Sequence, residues 1–96
     1  MARTSYERKM SSEESREGYV LVEKAALSFF PPIGETFELE EPSGRRAASV
    51  EARHCECRGP EKPHEHYFIR AAGLERGSRW KFERAGDGYR LSSLAG

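Results

Sequence analysis

Four potential metal ligands lie close together in the second half of this 96-residue chain. Cys55 and Cys57 are two positions apart, and His64 and His66 follow after a short interval with the same spacing. Residues two apart in a β-strand point to the same face, so the members of each pair would share a face. If the two pairs lay on facing strands of one hairpin, two thiolates and two imidazoles would converge. That is the ligand set of a structural zinc site.

The same four residues also have a purely structural interpretation. The CxC and HxH spacings are not those of a standard zinc finger, and two ligands that flank a single residue strain a tetrahedral site. In this interpretation Cys55 and Cys57 are small residues at a strand end, while His64 and His66 flank a loop stiffened by proline. Two Cys residues this close are poorly placed to bridge each other and too few for a secreted disulfide scaffold. Both alternatives therefore have reduced thiols or metal-bound thiolates.

No catalytic motif accompanies these residues. The HxH pair is typical of cupin metal sites, but Ile69 and Arg70 stand where such a site needs a carboxylate. A Cys-His dyad would need an oxyanion-hole motif, and the sequence has no nucleophile elbow. The segment from Gly73 to Gly77 lacks the Lys-Ser/Thr pair of a phosphate-binding loop. We therefore expect a protein that is not an enzyme, with structural zinc as the one cofactor to consider.

The charged residues are divided unevenly along the chain. There are 16 basic and 16 acidic side chains, so the formal net charge is zero. Residues 1–44 carry 5 basic and 9 acidic side chains, while residues 45–96 carry 11 and 7, which gives net charges of −4 and +4. A polyanion would therefore bind the second half. The alternative is that the interleaved charges only solvate the faces of strands.

The elements that must position these residues are mainly strands. Alternating apolar runs separated by tight turns predict a small antiparallel pseudobarrel of six to seven strands within a single domain over residues 19–92. One short helix is expected near residues 24–30, where apolar residues recur at helical spacing before two prolines. Residues 1–18 lack apolar periodicity and are expected to form a flexible polar arm. Residues 93–96 would be a tail.

Two local features of this prediction can be stated more closely. Residues 46–57 are expected to form one continuous return strand of a hairpin, and the pair Asp87-Gly88 is expected to form a hairpin turn. No apolar run approaches the roughly 18 residues that a membrane span needs. Charged residues near the start leave no apolar stretch typical of a signal peptide. We therefore expect a cytoplasmic protein with no membrane partner, and a monomer.

The order of these elements, with several local sequences, resembles the DNA-binding pseudobarrel superfamily, which includes the plant B-three transcription-factor domain and the effector domain of some restriction endonucleases. The matching stretches lie within residues 19–92 and are VLVEKAALSFFP, GETFELEEPSGRR, HYFIRAAGLERGS and RWKFERAGDGYRL. Glu23 stands where that family prefers Pro, and Ser78 where it prefers Asp. The segment between Tyr67 and Leu74 is too short for the second helix of the plant domains.

The resemblance implies that double-stranded DNA is gripped in its major groove by two arms. In this chain one arm would be residues 9–18, and the other would be the loop from position 53 to position 62. The DNA-binding residues would be Lys9, Arg16, Arg53, Arg58 and Lys62.

A protein-interaction module is the alternative. The loop from Arg58 to Pro63 is stiff and exposed, and Tyr67 and Phe68 lie beside it, so a small domain could present this loop to a protein partner. In this alternative, zinc bound by the four Cys and His residues would stabilise the module.

Overall fold

The chain folds into a mainly β domain. The computed structural model describes residues 4–55 and 64–94, with their side chains apart from those of residues 54, 55 and 64. The strands are β1 (Ser5–Lys9), β2 (Tyr19–Val22), β3 (Phe37–Glu41), β4 (Gly44–Ala48), β5 (Glu51–Cys55), β6 (His64–Arg70), β7 (Arg79–Ala85) and β8 (Gly88–Ser93). The helices are α1 (Ser12–Glu17) and a 3-10 helix at Lys24–Phe29. The prediction of a small β domain with a short helix near residues 24–30 is confirmed.

The strands form two sheets. The five-stranded sheet has the order β1-β7-β8-β3-β4, and the three-stranded sheet has the order β2-β6-β5. All described strand pairs are antiparallel except β3 and β8, which run parallel. The structure thus has more strands than the six to seven expected. None of the helices in the described ranges is long and apolar enough to cross a bilayer.

Both sheets and the 3-10 helix bury their apolar faces in one core. Aromatic rings fill its centre, where Phe30 lies 5.3 Å from both Phe82 and Tyr89 between ring centroids. The 3-10 helix contributes Ala26 and Phe29, both almost fully buried. The sequence predicts this helix because its buried residues recur at helical spacing and two prolines follow it.

The first residues of the chain are part of the domain, so the prediction of a flexible polar arm over residues 1–18 is wrong for the described residues. Strand β1 pairs with β7 and buries Tyr6 and Met10. The Tyr6 hydroxyl donates a hydrogen bond of 2.7 Å to the carbonyl of Leu21 in β2. A strand that buries only one aromatic residue shows no alternating pattern, and the sequence therefore gave no signal of it.

Three further boundaries differ from the prediction. Residues 46–57 do not form one strand, because the chain leaves the five-stranded sheet after β4 and enters the three-stranded sheet at β5. The intervening Val50 is buried, and its carbonyl accepts the N–H of Gly34 at 2.9 Å. The β7–β8 turn consists of Gly86 and Asp87, since Ala85 already pairs with Gly88. Ser93 and Leu94 belong to the domain and not to the expected tail, because Ser93 ends β8 and the Leu94 N–H bonds to the Arg79 carbonyl.

Candidate binding groove

A groove of about 920 Å³ lies between α1 and the solvent-facing side of the three-stranded sheet. Strand alternation creates this surface, because Val20 and Val22 of β2 point into the core while Tyr19 and Leu21 point out. The neighbouring strand repeats the pattern: Ile69 is buried and Phe68 faces the groove. A sheet of this fold would normally present polar side chains to water, and here it presents aromatic ones.

The floor of the groove is an aromatic and aliphatic patch. Leu21 and Phe68 are directly opposite each other in the β2–β6 ladder. The rings of Tyr19 and Phe68 meet edge to face, with centroids 5.5 Å apart and planes at 62°. Burial, together with the nearby carboxylates of α1, raises the pKa of the Tyr19 hydroxyl, so this side chain stays neutral at physiological pH.

Three cationic or ionisable side chains border this floor. Arg53 of β5 and His66 of β6 are paired positions in the ladder, and both are exposed. The guanidinium carbon of Arg70 lies 5.6 Å from the centroid of the Phe68 ring. Its Nε is 2.9 Å from Oε2 of Glu51, which neutralises this arginine. Arg53, in contrast, has no carboxylate partner among the described residues, so its charge is available to a ligand.

A buried carboxylate fixes helix α1 as the wall of the groove. Glu14 is 2% exposed, and its Oε1 accepts a hydrogen bond of 3.0 Å from Nη2 of Arg8 in β1. Its Oε2 accepts the N–H of Leu21 in β2 at 2.7 Å. Ser11 completes a capping box, since its hydroxyl accepts the Glu14 N–H while the Glu14 carboxylate accepts the Ser11 N–H. One side chain therefore joins β1, α1 and β2.

The hydrogen bonds to Glu14 outweigh the cost of burying it. Burial acts to raise the pKa of the carboxyl group, but the hydrogen bonds from Arg8, from the Leu21 N–H and from Ser11 together hold that pKa below its usual range. The carboxylate is therefore ionised at neutral pH. Two further acids of α1, Glu13 and Glu17, are exposed and line the groove, which makes this wall negative.

The structure separates the basic residues that the sequence grouped as DNA contacts. Arg53 lines the groove. Lys9 is exposed on β1 in the other sheet, opposite Arg79. Arg16 is exposed on α1, and its Nε lies 3.4 Å from Oε1 of Glu17. Neither of these two lines the groove. Arg58 and Lys62 lie outside the described residues.

The proposed metal ligands are only partly described. Cys55 and His64 are paired positions in the β5–β6 ladder, and His66 lines the groove two positions further along β6. Cys57 lies outside the described residues. Among the described side chains, which exclude those of Cys55 and His64, no group of three or more Cys, His, Asp or Glu residues is placed to hold a metal ion.

Sequence reasoning missed most of the groove. Nothing in the sequence pattern marks Tyr19 or Glu14 as a site residue, and Arg70 enters only as a departure from the cupin motif. Phe68 was considered for a protein-interaction surface. Alternation in β2 and β6 could have shown that Tyr19 and Phe68 point outward, but their proximity depends on the β2–β6 register.

Comparisons of this chain with protein-family models, with curated proteins and with solved structures gave no match. The groove itself therefore suggests a function through its aromatic floor, its acidic wall and Arg53, which has no carboxylate partner among the residues that the structure describes.

Proposed function

We propose that this chain is a non-catalytic DNA-binding domain and that the groove on the three-stranded sheet is its contact surface. The observation that carries the proposal is an aromatic pair, Tyr19 and Phe68, partly exposed on a sheet face that Arg53 borders. Aromatic rings offer stacking surfaces to bases, and arginine offers a fixed fork of donors to phosphate.

The exposure of these rings has a cost that a ligand would offset. Phe68 and Tyr19 are only partly buried, so apolar ring surface faces water in the groove. The groove is of the size typical of specific ligand sites, which are about 300–1,000 Å³. Polar groups at its border, Arg53 and His66, would fix the orientation of a ligand while the rings supply contact area.

The distribution of cations also supports this surface. Arg53 has no acidic partner among the described residues, and Coulomb attraction between its guanidinium and a phosphate is not cancelled locally. The sequence adds Arg58 and Lys62 to the segment that joins β5 to β6. Residues 51–70 also contain four glutamates, so the formal net charge of this hairpin is zero, and the support for the groove comes from the position of Arg53 and not from a basic excess.

The test is a binding titration with a short fluorescently labelled DNA oligonucleotide, single-stranded and duplex, at two salt concentrations. Arg53→Ala is expected to weaken binding and to reduce the slope of log K against log salt by about 0.7 to 0.9 for the phosphate contact it removes. Arg45→Ala is the matched control, because it removes the same charge from an exposed strand position of the other sheet. We expect the control to bind like the wild type.

Two results would overturn the proposal. One is no binding of either oligonucleotide even at low salt. The other is equal weakening by both arginine substitutions, which would mean that the charge of the whole molecule, and not the groove, attracts DNA.

A zinc-stabilised protein-interaction module is a second candidate, and one observation favours it. Cys55 and His64 are opposite one another in the ladder, as the convergence of the two ligand pairs requires. Elemental analysis of untagged protein should then give one zinc per chain, and chelation should lower its thermal stability. Metal-free protein that is fully folded and indifferent to chelator would contradict this candidate.

A further inference from the structure

We infer that the groove accepts a single strand of DNA in preference to a duplex, an inference that rests on the proposed function and adds the form of the ligand. The structural reason is that the groove has one acidic and one basic side, with stacking surfaces between them. A duplex carries phosphates on both of its strands, whereas a single strand can turn its phosphates to one side and its bases to the other.

The acidic side is the wall formed by α1. Glu13 and Glu17 both line the groove there. The basic residue of this helix, Arg16, does not line the groove and lies beside Glu17. Arg8 also lines the groove here but is already paired with Glu14 and Glu23, so a second phosphate backbone against this wall would meet the carboxylates of Glu13 and Glu17. Carboxylates can instead accept hydrogen bonds from the exocyclic amino groups of bases.

The basic side lies across the sheet from that wall. Arg53 is on β5, two strands away from β2, which follows α1 directly in the chain. Strands lie about 4.8 Å apart, so β2 and β5 are about 10 Å apart across the sheet. A base and its sugar can span this width between a phosphate bound to Arg53 and the β2 side of the groove.

The floor between the two sides provides places for bases. Phe68 is on the middle strand of the sheet and Tyr19 on the edge strand β2, and the guanidinium of Arg70 lies over the Phe68 ring. Base–aromatic stacking contributes about 1–3 kcal/mol for each base and tolerates any sequence. A duplex cannot use these rings, because its bases are already stacked on one another.

The first experiment measures the affinity of the full chain for one oligonucleotide as a single strand and as a duplex with its complement. The single strand is expected to bind at least about tenfold more tightly. Equal or tighter binding of the duplex would overturn this inference and leave the proposed function standing. No binding of either form would overturn the proposed function as well.

A pair of variants at one ring tests the stacking. Phe68→Leu keeps an apolar side chain against Leu21 and removes the ring, and it should weaken single-strand binding about tenfold, the equivalent of roughly 1.4 kcal/mol. Phe68→Tyr keeps the ring and should bind within about twofold of the wild type. If both variants bind equally well, the ring does not stack on bases and the inference fails.

A double variant tests the acidic wall. Glu13→Gln with Glu17→Gln removes two negative charges from exposed positions of α1. Neither side chain takes part in the bonds of the buried Glu14 to Arg8 and Leu21. Duplex affinity at low salt should rise more than single-strand affinity, because the single strand already keeps its phosphates away from the wall. An equal rise for both forms would show that the wall does not discriminate between them and would contradict the inference.

Discussion

The two sheets present their outer faces to solvent in different ways. On the five-stranded sheet, the charges of the side chains at four neighbouring positions alternate in sign. This charge ladder crosses four adjacent strands in the order Glu83, Arg90, Glu40 and Arg45. The Arg90 Nε lies 3.4 Å from Oε2 of Glu40, and Arg45 lies 3.7 Å from Glu38. On the three-stranded sheet the corresponding face carries aromatic rings, and Arg53 lacks a partner among the described residues.

The difference shows why net charge alone could not locate a binding surface. The charged side chains in this row of the five-stranded sheet attract one another. A polyanion that approaches the row meets both signs of charge, so its net electrostatic attraction is small. On the three-stranded sheet, Arg53 has no carboxylate partner among the described residues and lies, exposed, at the border of an aromatic floor. The interleaved charges of the sequence thus solvate one face, while a few residues on the other face are available to a ligand.

The largest effect is expected from breaking the anchor of the groove wall. Glu14→Gln removes the charge that Arg8 and the Leu21 N–H stabilise, and it should lower the free energy of unfolding by about 3 kcal/mol, as for other buried pairs that lose one partner. Urea unfolding at neutral pH measures the loss. The control is Glu13→Gln, an exposed neighbour on the same helix, for which we expect a change within about 0.5 kcal/mol.

The effect of Glu14→Gln should depend on pH. The pKa of Glu14 is lower in the folded protein than in the unfolded chain, so its carboxylate stabilises the fold above the unfolded pKa, and this contribution is lost as the pH falls through the folded pKa. The wild type and the variant should therefore approach equal stability in acid. A difference that stays constant down to strongly acidic pH would mean that the carboxylate charge is not what holds α1.

The next largest effect is expected in the framework sheet, at the contact between its parallel strands. A Cβ atom on Gly88 would lie 2.4 Å from the carbonyl oxygen of Glu38. Gly88→Ala should therefore push β8 away from β3 and lower the free energy of unfolding by about 2 to 3 kcal/mol. Thermal or urea unfolding measures this.

The neighbouring turn supplies the control for that substitution. Gly86 has open space around it but a positive φ of 61°, so Gly86→Ala tests backbone strain without a clash and should cost about 1 kcal/mol. If Gly86→Ala is the more harmful change, the close approach of the two strands is not what requires glycine at position 88.

The sequence predicted the parts of the fold that depend on local pattern. The alternation of Phe37 and Leu39 with acidic residues identified β3, and the spacing of Ala26 and Phe29 identified the 3-10 helix. Gly88 shows the limit of such reasoning. The Asp-Gly pair predicts a turn, but Gly88 is a strand residue whose small size is required by a residue 50 positions earlier in the chain, and no local pattern shows that contact.

The candidate site was less predictable for the same reason. Arg53 was among the expected contacts, because the resemblance to the pseudobarrel superfamily implies a DNA-binding loop over residues 53–62. The aromatic pair was not, because Tyr19 and Phe68 are distant in sequence and meet through strand pairing. The role of Glu14 was not predictable either: its spacing from Ser11 fits a capping box, but its bonds to Arg8 and Leu21 come from two other elements.

The smallest effect is expected from the charge ladder. Glu40→Gln makes the same chemical change as Glu14→Gln, at a side chain that is 36% exposed and that neighbours both Arg90 and Arg45. Exposed pairs contribute about 0.2–1 kcal/mol, and salt screens them, so urea unfolding should show a loss of about 0.5 kcal/mol that shrinks at high ionic strength. DNA affinity should not fall, because the ladder lies on the other sheet. A loss as large as that of Glu14→Gln would show that the ladder holds the sheet together, and the two faces would then differ less than their charge patterns indicate.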